Sequence, residues 1–258
     1  MISDNYAKPV LPLEIKKTLL EQLYALHAKW LAPMGLACGK GCAACCTQSV
    51  TMTSIEGELI VDFLRQQNRL DSLDEVLAAH RCRKTSQPPL TTNAFAEYCL
   101  RGVEPEEPVH EDWDFTPCPF LHDEVCTIYT ARPFGCRAFV STVDCSKTGS
   151  AEIAPMVLTV NTVFTQIIEH IDQGNYWGKM LDILACSPIP SVSPQTNTTR
   201  NPENAAGSRL RRAKRLPGLL VSEIDKKPVQ SILDAFFSRT IDGKKIETLL
   251  NVKPGLWQ

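Results

Sequence analysis

The chain has 258 residues, 43% of them hydrophobic and 22% charged, with a formal net charge of -2. That balance excludes a disordered chain and describes one good core plus an appendage, or two small domains. With a pI near 6.2 the chain has no global attraction to nucleic acid or to anionic membranes. No stretch approaches the ~18–20 consecutive apolar residues of a spanning helix. Met1-Ile-Ser-Asp-Asn-Tyr also lacks the basic start and apolar run of a secretion signal, so the expected location is cytoplasmic. In a reducing compartment the 11 cysteines read as metal ligands, catalytic groups or buried hydrophobes rather than disulfides. Their odd number and the adjacent Cys45-Cys46 pair point the same way.

In chain order, residues 11–31 read as a first helix, because Ile15, Leu19, Leu23, Leu26 and Trp30 form one apolar stripe. Pro12 fits its first turn, and Pro33 and Gly35 stop it. Residues 48–52 read as a short extended piece. Thr53-Ser-Ile-Glu56 is a capping-box signal for a helix to about Gln67, with Ile55, Leu59, Phe63 and Leu64 inward. Ser72-Leu-Asp-Glu75 repeats the signal for a third helix that turns Leu73, Val76, Leu77 and His80 inward. A fourth covers about 93–101 and ends at Gly102. The acidic, proline-bearing stretch 104–114 reads as an exposed loop.

Phe120-Leu121 and residues 125–129 flank the polar His122-Asp123-Glu124, which predicts a small hairpin. Thr130 is then a candidate cap for a short helix with Pro133 in its first turn. Residues 155–172 show helical spacing through Val157, Val160, Phe164, Ile167 and Ile171, with Gly174 as a candidate C-cap. A further helix is expected over 176–186. The Pro-, Ser-, Thr- and Asn-rich stretch 187–204 reads as flexible linker, and the basic run 209–215 as its solvated continuation. The tail carries an amphipathic helix with Val229, Ile232, Leu233, Phe236 and Phe237. A last segment holds Ile246, Leu249 and Leu250 and ends at Leu256-Trp257. The expected organisation is a Cys-rich helical domain over 1–186, a linker over 187–216 and a tail over 217–258. About forty residues are few for an independent core, so that tail is expected to dock on the domain or on a protein partner.

The most improbable stretch is Cys38-Gly-Lys-Gly-Cys42-Ala-Ala-Cys45-Cys46, where small residues leave room for several sulfurs to converge. Clustered thiolates suit zinc, copper(I) or an iron–sulfur cluster. Cys38, Cys42 and Cys45 have the C-x3-C-x2-C spacing of radical S-adenosylmethionine enzymes, but Ala44 stands where those usually carry an aromatic, and the surroundings read as helical. A second set, Cys118, Cys126 and Cys136, is spaced for a hairpin followed by a helix start. Seven thiols exceed the four used by one tetrahedral zinc or one [4Fe-4S] cluster. Two metals, or ligands held in reserve, would account for the excess. Four thiolates leave negative charge to be compensated, which makes Lys40, Arg132 and Arg137, with the N–H groups of the helix after Pro133, candidate partners of the bound group. Cys82, Cys99 and Cys186 read as buried hydrophobes. Cys145 reads equally as a peripheral ligand or not. His122 reads as solvated, His27, His80 and His170 as structural, and Tyr129 as packing over the site.

Cys38-x3-Cys42-x2-Cys45-Cys46, followed by Cys118-Pro-Phe-Leu, Cys126-x-Ile-Tyr129 and Arg132-Pro133-x-x-Cys136-Arg137, resembles the YkgJ-like family of CxxCxxCC-type zinc- or iron-chelating proteins. The resemblance covers about residues 36–145. It implies metal chelation by these cysteines, with an iron–sulfur cluster or zinc as cargo. Flagellin lysine methylases look like relatives with a similar cysteine pattern, so the resemblance also admits protein methyl transfer. The expectation is a mainly α protein, a helical domain around an irregular Cys-rich metal-binding core with a small β-hairpin. Its leading function is that of an iron–sulfur electron-transfer or oxidoreductase-type protein. A zinc-stabilised interaction module and a methyltransferase are the alternatives.

Overall fold

The computed structural model describes residues 11–81, 90–105, 114–186 and 210–252. Readings that fall on Cys82, most of the acidic loop, residues 187–209, the side chain of Cys186 and Leu256-Trp257 lie outside them. The fold is mainly α with a small antiparallel sheet. Among the described residues no helix is long and apolar enough to cross a membrane.

Helix α1 runs from Leu13 to Leu31, with Pro12 as its N-cap and its face of Leu19, Leu20, Leu23 and Leu26 buried. Strand β1 (Thr51–Thr53) passes directly into α2 (Ser54–Gln66), whose capping box is formed by Thr53 and Glu56. The buried face of α2 is Ile55, Ile60, Val61 and Leu64, rotated slightly from the one expected, with Leu59 and Phe63 at its margin. Helix α3 (Leu70–Arg81) begins two residues before its apparent cap at Ser72. Helix α4 (Thr92–Arg101) is capped by the Thr91 hydroxyl and closed by Gly102 in the left-handed conformation.

The hairpin pairs β2 (Leu121–His122) with β3 (Val125–Cys126). Asp123 and Glu124 turn it with φ of 47° and 60°, the backbone of a type I′ turn made without glycine. A single 3-10 turn over Tyr129–Ala131 precedes α5 (Phe134–Ala138), so Pro133, not Thr130, is the N-cap. A short helix α6 (Cys145–Thr148) leads to α7 (Pro155–Ile171). The expected helix over 176–186 is half strand: β4 (Tyr176–Lys179) turns into α8 (Met180–Cys186).

The part of the basic run that is described differs from a solvated link. Leu210–Arg212 forms β5, the third strand of a sheet ordered β1-β4-β5, with Met52 opposite Gly178 and Trp177 opposite Arg211. Arginine side chains on an edge strand remain wet while the backbone pairs, and Arg212 reaches the Gly174 carbonyl and stacks on Tyr176. The tail then docks. Helix α9 (Lys226–Phe237) is followed by a hairpin of β6 (Thr240–Ile241) and β7 (Lys244–Lys245), turned at Asp242-Gly243, and by α10 (Ile246–Leu249).

Two hydrophobic clusters result, with α2 between them. The first joins α1, Ile55, Phe134, α7 and the tail residues Val229, Leu233, Phe236 and Phe237. The second joins Met52, Ile60, Val61, Leu64, α3, Phe120, Ile128 and α8. Helix α7 carries buried polar groups that tie loops to the core. Gln166 accepts from the Leu220 amide and donates to the Gly218 carbonyl, while Glu169 accepts from the amides of Asn93 and Lys214. His170 Nε2 meets the Leu250 carbonyl at 2.8 Å. Asp172, just past the helix, binds Lys16 at 3.0 Å and the Ile55 amide at 2.9 Å.

Phe236 is completely buried in the first cluster. Phe236→Ala should therefore lower the stability of the whole chain by about 3–5 kcal/mol, read as a fall in the urea midpoint. A midpoint unchanged from the parent would mean that the tail contributes nothing to the fold.

Candidate metal centre

The two cysteine-bearing segments meet backbone to backbone. The Cys118 amide donates to the Cys46 carbonyl at 2.9 Å and the Gln48 amide to the Thr116 carbonyl at 3.0 Å, with Thr47 bridging Pro117. Local turns shape each side. The Cys42 amide closes onto the Gly39 carbonyl and the Cys46 amide onto Ala43, while Gly41 takes a φ of 96° that only glycine adopts without strain. On the other side Leu121, opposite Cys126 across the hairpin, donates to the Cys118 carbonyl.

A cavity of about 190 Å³ lies where the segments meet, and Cys38, Cys42, Cys45, Cys46, Cys118, Cys126 and Cys136 all line it. The remaining wall is largely apolar, with Leu36, Val50, Ile128, Phe139 and Met180, and α1 adds Tyr24 and His27. Cys45 is exposed at the rim and the other six are half-buried. All seven are free thiols. Among the described residues, no three His, Cys, Asp or Glu side chains stand ready to hold a single metal ion. The segments converge, and a preformed single-ion cage is not part of that convergence.

The thiols differ in acidity. Cys45 donates to the sulfur of Cys46, which holds the Cys45 proton in place and draws the Cys46 pKa down. Burial pushes Cys118 up to about 11 and raises Cys136 further, with Cys118 and Cys126 adding to the rise and Arg132 opposing it. Burial also raises Cys38, whose sulfur accepts from the Ser141 amide at 3.1 Å.

Arg132 and Arg137 both line the cavity. Arg132 lies over the Tyr129 ring at 3.7 Å and donates to the Tyr129 carbonyl. Arg137 lies over Tyr24 at 4.3 Å and donates to the carbonyls of Arg132 and Thr130, so it also clamps the 129–132 turn. Lys40 is different: it is exposed and does not line the cavity. The start of α5 does not offer its first amide either, because Phe134 N–H is bound to Glu56. Cys99, expected to be buried, is exposed on α4. His122 is solvated beside Asp123, as its place in the turn implied.

Glu56 sets where Cys136 sits. Its Oε1 accepts from the Tyr24 hydroxyl at 2.7 Å and the Phe134 amide at 2.6 Å, and its Oε2 from the amide and hydroxyl of Thr53 at 2.8 and 3.0 Å. One buried carboxylate thus joins α1, the start of α2 and the start of α5. Helix α5 also rests directly on β1, for a Cβ at Gly135 would stand 3.0 Å from the Thr51 carbonyl oxygen and 3.1 Å from Val50 Cγ1. Sequence reasoning missed this support and missed Tyr24, which stands beside the apolar stripe of α1 three positions before His27, the residue read as structural. His27 is held by Asn161 Oδ1 at 2.7 Å and packs edge-on against Phe134. Burial lowers its pKa.

Glu56→Ala leaves the donors of Tyr24, Phe134 and Thr53 unsatisfied and should cost about 1–3 kcal/mol in urea denaturation. Burial raises the Glu56 pKa, so at pH values between the unfolded and the folded pKa the folded chain keeps a proton that the unfolded chain has released, and above both the group is a carboxylate in either state. Its contribution is full below the unfolded value and declines as pH rises to the folded one. That decline should be present in the parent and absent from Glu56→Ala; identical slopes would refute it. Comparison of the chain with family models, with curated proteins and with solved structures gave no match, so the functional reading begins from this cavity.

Proposed function

We propose that the thiol-lined cavity holds an iron–sulfur cluster, of the [4Fe-4S] type, and that the protein works in electron transfer or as an oxidoreductase component. The observation that carries the reading is the convergence of seven free thiols, from segments more than seventy positions apart, on one cavity. Soft thiolates select soft metals and clusters. The space favours a cluster over a lone ion, since about 190 Å³ is many times the roughly 10–15 Å³ that a single water requires. The loops must draw in to ligate, which the small residues of the 38–46 segment permit. When bound, such a cluster supplies reversible one-electron chemistry at a potential tuned by charge, hydrogen bonding and exposure. The apolar wall keeps water from the inner thiols, Arg132 offsets negative charge, and the exposed Cys45 places the rim within reach of a redox partner.

A zinc-stabilised structural module is the second reading, and the chemistry of four thiolates suits it equally. What weighs against it is that domains needing a structural zinc lack a core of their own. This chain has two hydrophobic clusters. Methyl transfer has less support, because the junctions β1–α2 and β4–α8, at Thr53-Ser54 and Lys179-Met180, have no glycine-rich turn for a nucleotide-like cofactor.

Anaerobic purification followed by assay of iron, acid-labile sulfide and zinc, with the visible spectrum, tests the proposal. Stoichiometric iron and sulfide with broad visible absorption are expected, and Cys136→Ser should lower all three. A colourless protein holding zinc would replace the redox reading with the structural one.

A further inference from the structure

We infer that the cavity between α4 and β5 is a second ligand site, taking a small soluble molecule that carries two or three linked phosphates. Among the described residues it shares no lining residue with the thiol cavity, so it stands apart from the reading of that cavity.

The cavity measures about 390 Å³, within the range of about 300–1,000 Å³ usual for small-molecule sites. One wall comes from α4, with Glu97, Tyr98 and Arg101, and the other from β5 and the residues after it, with Arg211, Arg212 and Lys214. Two buried side chains hold these walls at a fixed spacing. Glu169 accepts from the Asn93 amide at 2.8 Å on the first wall and from the Lys214 amide at 2.7 Å on the second. Asn93 donates from its own side chain to the Lys214 carbonyl at 3.0 Å. The strand wall is fixed from behind as well, because Ala213 exchanges backbone bonds with Gly174 and Asn175 at 2.9 Å each. The opening is therefore built by the core and does not wait for a ligand to form.

Its charge is the reverse of the chain's. Four cations and one carboxylate line it, a surplus of three positive charges in a chain whose formal net charge is -2. Cations gathered in a concave site repel one another and concentrate anions there. A phosphate monoester carries about -1.5 to -2 at neutral pH, so that surplus matches about two linked phosphates, where a carboxylate would leave most of it uncompensated. Three of the four cations are arginines, whose planar forks fit phosphate oxygens two at a time. Arg212 is already positioned: it donates to the Gly174 carbonyl and the Tyr176 hydroxyl and lies 4.1 Å from the Tyr176 ring centre, using two of its five N–H donors. Lys214 is held only loosely by Glu97, at 3.5 Å between two half-exposed side chains, so an anion can take it over. The start of α4 is not the anion's seat, because its Asn93 and Ala94 amides are bound to Glu169 and to the Thr91 hydroxyl. Recognition by side chains in this way needs no glycine-rich turn.

Calorimetry of the full chain in magnesium-free buffer tests the site with pyrophosphate, tripolyphosphate, ATP, orthophosphate and a short single-stranded oligonucleotide as probes. Saturable one-to-one binding of the linked phosphates is expected, tighter than that of orthophosphate. ATP binding more tightly than tripolyphosphate would mark the ligand as a nucleotide, with Tyr98 as the surface for its base; equal affinities would mark the phosphates as the whole determinant. Arg101→Ala and Lys214→Ala should each weaken binding about tenfold, as expected for a lost hydrogen bond to a charged group. Their urea midpoints should stay at the parent's, since both side chains are exposed. Glu97→Gln should tighten binding severalfold, an effect that a purely structural role for Glu97 would not produce. Absence of saturable binding by every phosphate probe, unchanged affinity in Arg101→Ala and Lys214→Ala, or weaker binding in Glu97→Gln overturns the site. An oligonucleotide that binds where the small phosphates do not overturns it in favour of a nucleic-acid strand.

Discussion

The structure depends on the carboxylate of Glu56 and its four donors. Two of those bonds complete the start of α2, and the other two reach Tyr24 on α1 and the first amide of α5. A buried carboxylate is costly unless every lone pair is used, and here the donors come from three separate elements. Losing one of them leaves the others facing a poorly satisfied charge, so the three elements hold together as a unit. Tyr24 stays protonated under the same burial and the same charge. The aromatic group of Tyr24, His27, Phe134 and Phe164 packs around this point, and Tyr24 and His27 carry it to the wall of the thiol cavity.

The polar face of α7 repeats the device at larger scale. Asn161, Gln166, Glu169, His170 and the following Asp172 are all buried, and between them they bind α1, α2, α4, the 214–220 segment and the end of α10. Each provides partners that an irregular backbone segment would otherwise lack. That is how 210–252, with few regular elements of its own, becomes part of the main core.

Local chemistry made much of this readable in advance. The 3.6-residue apolar period placed α1, α2, α3 and α7, and the Thr53–Glu56 box and Gly102 marked ends where the chain itself supplies the partners. The hairpin followed from apolar runs around a polar triplet. The three-stranded sheet did not, because β1, β4 and β5 are three or four residues each and their pairing is set by distant partners. A run of arginines signals solvent for its side chains and says nothing of its backbone. Thr130 looked like a cap because the true acceptor for α5 lies 78 positions away, on Glu56. At the site, the thiols and the two arginines stood out by type and spacing. Lys40 did so only by sequence proximity, and its side chain turns to solvent.

The close seat of α5 on β1, which leaves no room for a side chain at Gly135, gives the cavity walls unequal stiffness. Cys136 is fixed to a sheet and a buried carboxylate, while Cys38, Cys42 and Cys45 hang on turns rich in glycine and alanine. An occupant of imperfect size would therefore be met by adjustment of the 38–46 side, like a hinged jaw on a fixed anvil.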